Sequence, residues 1–148
     1  MQYFIDIGTS QNRIPDYQEV KTCPVGSFLS ARYKGCALEQ AKGILKVYFK
    51  LKKKHKNKET KKPEIKKISM KLDERFFKLE KGNNFFDFWL KLRNPETQEW
   101  IEYPIKNYEY AKEYFENWEL CSFIEILQKD GKWYAKLSFK KTVELKEK

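Results

Sequence analysis

The apolar and polar residues of this chain change period near Pro63, from three or four residues before it to two after it. On the amino-terminal side Tyr33, Ala37, Ala41, Ile44, Tyr48 and Leu51 recur at three- and four-residue intervals, the spacing of one apolar helix face. Ser27 reads as the N-cap of that helix, and Gly35 and Gly43 weaken its middle. Residues 57–63 end it, because proline disfavours helical backbone at the residue before it. Upstream, residues 3–10 read as a short strand or arm, and residues 11–27, with Pro15, Pro24 and Gly26, read as loop.

Beyond Pro63, Ile68, Met70 and Leu72 alternate with Ser69 and Lys71, and Asp73-Glu74 turns the chain. Phe77 and Leu79 then alternate with Phe76 and Lys78, ahead of a second turn at residues 81–84. Phe86, Phe88, Leu90 and Leu92 oppose Asp87, Trp89, Lys91 and Arg93, and residues 94–97 turn the chain into a strand at 100–105. A short helix follows over 107–118, with Ala111, Tyr114, Phe115 and Trp118 on one side. Strands at 120–128 and 132–143 close the sequence across Asp130-Gly131, the strongest hairpin signal present. Short strands, regular turns and one inserted helix predict an α+β protein in which a helical segment joins a small, closed or nearly closed antiparallel barrel. Trp89, Trp100, Tyr103, Trp133 and Tyr134 fall on both faces of these strands, as closure would require. Three regions result: an arm and loop at 1–26, a basic helical lobe and linker at 27–63, and the barrel at 64–148.

Charge changes this picture most. The 148 residues carry a net charge of +10. Residues 42–67 alone hold twelve lysines against Glu59 and Glu64, so the remainder of the chain is neutral on balance. Ammonium groups crowded in this way repel one another unless a polyanion or dense counterions neutralise them, and counterion release drives nucleic-acid binding. Lys42, Lys46, Lys50 and Lys53 or Lys54 recur at helical spacing on a face other than the apolar one. Lys52, Lys56, Lys58, Lys61, Lys62, Lys66 and Lys67 extend the array into the connector. Arg32, Arg75 and Arg93 add planar guanidinium forks, suited to bidentate phosphate or base contacts. Trp89, Trp100 and Tyr134 are the candidates for stacking on bases. The bland reading of the same array is a solvated lysine linker.

The remaining chemistry is sparse. Aromatic residues make up 16% and apolar residues 41%, enough for a real core. No apolar run is long enough to span a bilayer, and the opening residues lack a signal-peptide pattern. Both point to a soluble cytoplasmic protein. Cys23, Cys36 and Cys121 form no CxxC pair, and His55 stands among lysines, so neither a disulfide framework nor a structural zinc site is expected. No cofactor is implied. Asp6-Ile7-Gly8 looks like the Asp-x-Gly opening strand of ribonuclease H-like nucleases and actin-like kinases, which leaves a metal-dependent phosphodiesterase using Asp6 as one alternative. A protein-interaction domain whose lysines only confer solubility is another.

Several stretches resemble TnpB, the transposon-encoded ancestor of type V CRISPR effectors: LSARY (29–33) through ALEQA (37–41), the connector ending KKP (61–63), SMKLDERFFKLE (69–80), FFDFWLKL (85–92), WIEYPIK (100–106) and GKWYAKLSFKKTVEL (131–145). The similarity is one of order and texture over roughly residues 25–145. It implies a recognition lobe followed by a wedge-like, oligonucleotide-binding-type barrel. Together these grip structured guide RNA and read a short motif beside a DNA target. The family's nuclease domain, with its remaining carboxylates and four zinc cysteines, has no counterpart in this sequence. The resemblance therefore implies the amino-terminal binding portion, non-catalytic by itself. Its expected partners are structured RNA first, duplex DNA second, and the missing nuclease half.

Overall fold

Helices α1 (Gln2–Ser10), α2 (Gln18–Thr22) and α3 (Ala31–Lys54) open the chain in the computed structural model, which describes residues 1–55, 60–67, 69–82, 85–105 and 108–143. The strand expected at residues 3–10 is therefore corrected to a helix. Phe4, Ile5 and Gly8 are its buried positions, a three- and four-residue spacing that overrides the apparent alternation of Tyr3, Ile5 and Ile7. Within residues 11–27, expected as loop, the side chains of Asp16 and Glu19 take up backbone N–H groups just ahead of and at the start of α2, whose N-cap is Tyr17. The Gln18 N–H donates to Asp16 Oδ1 at 2.7 Å, and the Asp16 N–H donates to Glu19 Oε2 at 2.8 Å. Helix α3 begins after Ser30, not Ser27, because a turn closed by the Leu29 N–H on the Gly26 carbonyl holds residues 26–29. It runs unbroken through Gly35 and Gly43 to Lys54, and His55 caps it.

The apolar face of α3 is rotated from the one expected. Tyr33, Leu38, Ala41 and Leu45 are buried, whereas Leu51 is exposed. Leu38, Ala41 and Leu45 join Phe4, Ile5, Val20 and Cys23 in a core shared by the three helices. Gly8 lets α1 and α3 approach: a Cβ there would run into the Leu45 side chain and stand 3.0 Å from the Arg13 carbonyl oxygen.

Six antiparallel strands follow, β1 (Ser69–Asp73), β2 (Phe77–Lys81), β3 (Phe88–Arg93), β4 (Trp100–Ile105), β5 (Glu119–Lys129) and β6 (Lys132–Lys140). A 3₁₀ turn (Glu109–Ala111) and α4 (Lys112–Asn117) stand between β4 and β5. Ile68 of the first expected strand, Asn83 and Asn84 of the second turn, and Asn107 of the inserted helix lie outside the described residues. The Asp130-Gly131 hairpin forms with positive φ at both residues, 50° and 73°, as a primed two-residue turn requires.

The architecture is α+β, but the strands do not close into a barrel. They form two three-stranded sheets, β1-β5-β6 and β2-β3-β4. After β1 the chain turns through Asp73 to Phe76 and starts a separate meander, and β1 pairs instead with β5, Ser69 opposite Leu127 and Asp73 opposite Phe123. The two sheets fill the space between them, which makes closure unnecessary. Leu72, Ile124 and Ile126 from one, and Phe76, Phe77 and Leu90 from the strands and turn of the other, share a core with Tyr33 of α3. Tyr33 packs on the Phe76 ring at 4.0 Å and donates its hydroxyl to the Arg93 carbonyl. Phe115 of α4 stacks on Phe88, also at 4.0 Å.

Two stability predictions follow from the helical core. Gly8→Ala should destabilise the fold by about 1–3 kcal/mol through overpacking against Leu45, read as a lower urea midpoint. Glu19 is buried, yet its carboxyl is held down to about 2 from an ordinary 4.5, because hydrogen bonds from the Arg13 side chain and the Asp16 N–H outweigh the opposing effect of burial. A carboxylate with a depressed folded pKa stabilises above its unfolded pKa and loses that contribution as pH falls through the folded one. Glu19→Gln should therefore cost on the order of 1–2 kcal/mol at pH 7. That difference should shrink steadily on acidification from about pH 5 to about pH 2, measured by urea melts across that range.

Candidate nucleic-acid interface

The core contacts of α3 fix which of its residues face outward. Arg32, Cys36, Glu39, Gly43, Lys46, Lys50 and Lys54 follow one another at three- and four-residue steps, so they share one stripe away from Leu38, Ala41 and Leu45. Along the first half of this stripe lies a groove of about 950 Å³, walled by α3, by residues 64–67 and by β1. Arg32, Lys66, Lys67, Lys71 and Arg75 line it, together with Glu39, Glu64 and Asp73. Gly43 opens it further, since a Cβ there would meet nothing within 4 Å.

Ion pairing divides these charges into two kinds. Asp73 accepts from Arg75 Nε at 2.9 Å and Nη2 at 2.5 Å, so the guanidinium fork of Arg75 is already occupied. The same contact holds the Asp73 carboxyl below its usual range and raises the Arg75 pKa. Burial pushes the neighbouring Cys36 thiol up, and its Sγ lies 3.6 Å from Asp73 Oδ2. Glu39 pairs with Lys42 at 2.7 Å. Arg32, Lys66 and Lys67 make no ion pair with a described residue, and Lys71 sits only over the Phe123 ring at 3.6 Å. Against these four cations the groove offers, among the described residues, one uncompensated carboxylate, Glu64.

The connector is held in place by α1. Gln2 Nε2 donates to the Pro63 carbonyl at 3.3 Å, the Ile65 N–H donates to Gln2 Oε1 at 3.0 Å, and Lys62 pairs with Asp6 at 3.0 Å. On the other wall the β1 edge is tied to α3, the Lys71 N–H donating to Gln40 Oε1 at 3.2 Å. The lysines on either side of the groove thus stand on anchored backbone.

The other residues named from sequence are dispersed. Lys53 and Lys61 are exposed, Lys52 donates to Asn12 Oδ1 at 3.1 Å, and Lys56 and Lys58 lie outside the described residues. Arg93 belongs to the second sheet, where its Nε donates to the Gln98 carbonyl at 3.3 Å and its guanidinium lies 5.9 Å from the Trp100 ring. Lys78 flanks the same ring at 4.9 Å, and Lys91 bridges Glu80 and Glu102 at 2.9 Å each. Among the described residues on that sheet face Lys91 alone is paired with acids, Lys78 and Arg93 lie against the Trp100 ring, and Trp89 packs edge-on against Phe86. Tyr134 lies on the first sheet and is exposed. Lys71, a groove cation missed in the sequence, looked like an ordinary polar strand position, and only the long-range pairing of β1 with β5 sets it beside Phe123.

Asp6 sits on α1 beside Gln2 and Lys62, whose hydrogen bonds and charge hold its carboxyl below the usual range. Among the described residues no three His, Cys, Asp or Glu side chains come together as a metal site. No described helix is long and apolar enough to cross a membrane. No protein-family model matches this chain, and no curated protein does either.

The clasp is testable. Gln2→Ala removes both hydrogen bonds to residues 63 and 65. It should speed amide exchange at Ile65 by roughly three- to tenfold, the equivalent of about one net hydrogen bond, with exchange at Leu38 and Leu45 unchanged.

Proposed function

We propose that this chain is a nucleic-acid-binding module, with structured RNA as its first ligand and duplex DNA its second, and that it is non-catalytic by itself. The observation that carries this reading is the convergence of Arg32, Lys66, Lys67 and Lys71 on one groove whose only uncompensated acid among the described residues is Glu64, continued along α3 by Lys46, Lys50 and Lys54. A phosphate backbone laid along that stripe neutralises cations that otherwise repel one another, and the release of its counterions supplies the driving force. Like charges four residues apart weaken a helix by about 0.2–0.5 kcal/mol per pair. In α3 that cost is borne by burial of the opposite face. The two-walled groove suits a backbone better than a flat surface does, because phosphates are contacted from both sides. In this reading the TnpB-like portions act as a recognition lobe and wedge that hold an RNA scaffold, with the nuclease half as a further partner.

Filter binding of a structured RNA across a salt series tests this. Affinity should fall steeply, with a log–log slope that reflects several phosphates. The triple change of Lys46, Lys50 and Lys54 to Gln should flatten that slope by about two to three. Absence of binding at low salt, or binding indifferent to salt, would reject the proposal.

A further inference from the structure

The outer face of the β1-β5-β6 sheet continues the floor of the groove. Register places Ser69, Leu127 and Tyr134 in one cross-strand row and Lys71, Glu125 and Lys136 in the next, with Asp73 opposite Phe123 beyond them. The side chains that alternate with these, Leu72, Ile124 and Ile126, are buried in the core, so the rows point away from it. Tyr134 is 47% exposed. It stands between Lys132 and Lys136, which share its face at two-residue spacing on β6, and Lys129 closes the row on β5. Glu125 lies 3.9 Å from Lys136, and Asp73 is taken by Arg75. The face thus presents an exposed ring, a second ring under a lysine, an apolar Leu127 between them, and a surplus of positive charge.

We infer that this sheet face is a platform for unpaired nucleotides, on which one base stacks on Tyr134 and another on Phe123, next to the groove that takes the phosphates of a paired stem. The inference rests on the nucleic-acid reading above and specifies the ligand as a junction between a paired stem and a single-stranded extension. Geometry favours a single strand over a duplex. Phe123 and Leu127 are four residues apart on β5, and Tyr134 is the cross-strand neighbour of Leu127. The two rings are therefore separated by about 13 Å along the strands, and only splayed bases can reach both. An open sheet face bearing aromatic rings between cations offers such bases stacking below and charge neutralisation beside. The Lys71 ammonium now over Phe123 makes a weak exposed cation–π contact. It can exchange that contact for a phosphate as a base takes its place.

The test compares a blunt RNA hairpin with the same hairpin carrying a short unpaired uridine tail, each labelled and titrated by fluorescence anisotropy against the full chain. The tailed hairpin should bind about tenfold more tightly than the blunt one. Tyr134→Ala, which leaves only the Phe123 stack, should reduce that ratio to about threefold, and Tyr134→Phe should preserve it, because the ring and not the hydroxyl does the stacking. Equal affinity for the two hairpins, or a tail preference undiminished by Tyr134→Ala, overturns the platform while leaving the phosphate groove standing. Failure to bind either hairpin at low salt overturns both.

Discussion

One helix serves two cores, and that constraint governs the rest of the molecule. Helix α3 gives Leu38, Ala41 and Leu45 to the helical core and Tyr33 to the core between the sheets. The buried positions lie on neighbouring sides of the helix, so its rotation about its own axis is fixed at two places. A helix pinned in this way has no freedom over where its remaining residues point. Arg32, Lys46, Lys50 and Lys54 are therefore presented outward by the packing of side chains on the other side. Burying a large aliphatic or aromatic side chain contributes about 1.5–3 kcal/mol, several times the repulsion of one lysine pair. Apolar packing wins, and charge follows it.

The second determinant is the clasp between the chain's first turn and its connector. A segment with four lysines in residues 61–67 has no apolar side chain with which to bury itself beyond Pro63 and Ile65. Gln2 supplies what the segment lacks, accepting from the Ile65 N–H and donating to the Pro63 carbonyl. The accompanying Lys62–Asp6 pair is half-exposed on both sides and contributes little by comparison. With α1 on one side and β1 on the other, the connector becomes the wall of a groove. The same pairing explains why Asp6, which looks like a metal ligand when read as part of a strand, sits instead as a helix-surface carboxylate beside a lysine.

Much of the fold was legible where a single period or a single turn decides the outcome. The sheet strands, the short helix after β4 and the Asp130-Gly131 hairpin follow from local alternation and from residues that accept positive φ. The long helix was legible too, although its apolar face was misplaced. Tyr48 and Leu51 lie near its carboxyl end, where the core thins out, whereas Leu38 and Leu45 meet α1 and α2. The division into two sheets, in place of the expected barrel, was not legible, because alternation fixes which face a strand buries and leaves open which strand it pairs with. Of the residues bordering the groove and its stripe, Lys46, Lys50, Lys66 and Lys67 were named from charge and Arg32 for its guanidinium fork. Arg75 was named without its partner two residues away, and Lys71 was passed over.

The sequence alone determined that this chain is α+β, that its excess positive charge resides in residues 42–67, and that helix precedes sheet. Those properties are local, set by composition and by the 3.6- and 2-residue periods of the backbone. Tertiary structure decided that the strands form two packed sheets, that α1 is a helix clasping the connector, and that the lysines border a groove continuous with an open sheet face. Each of these depends on contacts between residues far apart in the chain, Tyr33 with Phe76, Gln2 with Ile65 and β1 with β5. No local pattern specifies such contacts, because their free energy comes from burying surfaces that meet only once the chain has folded.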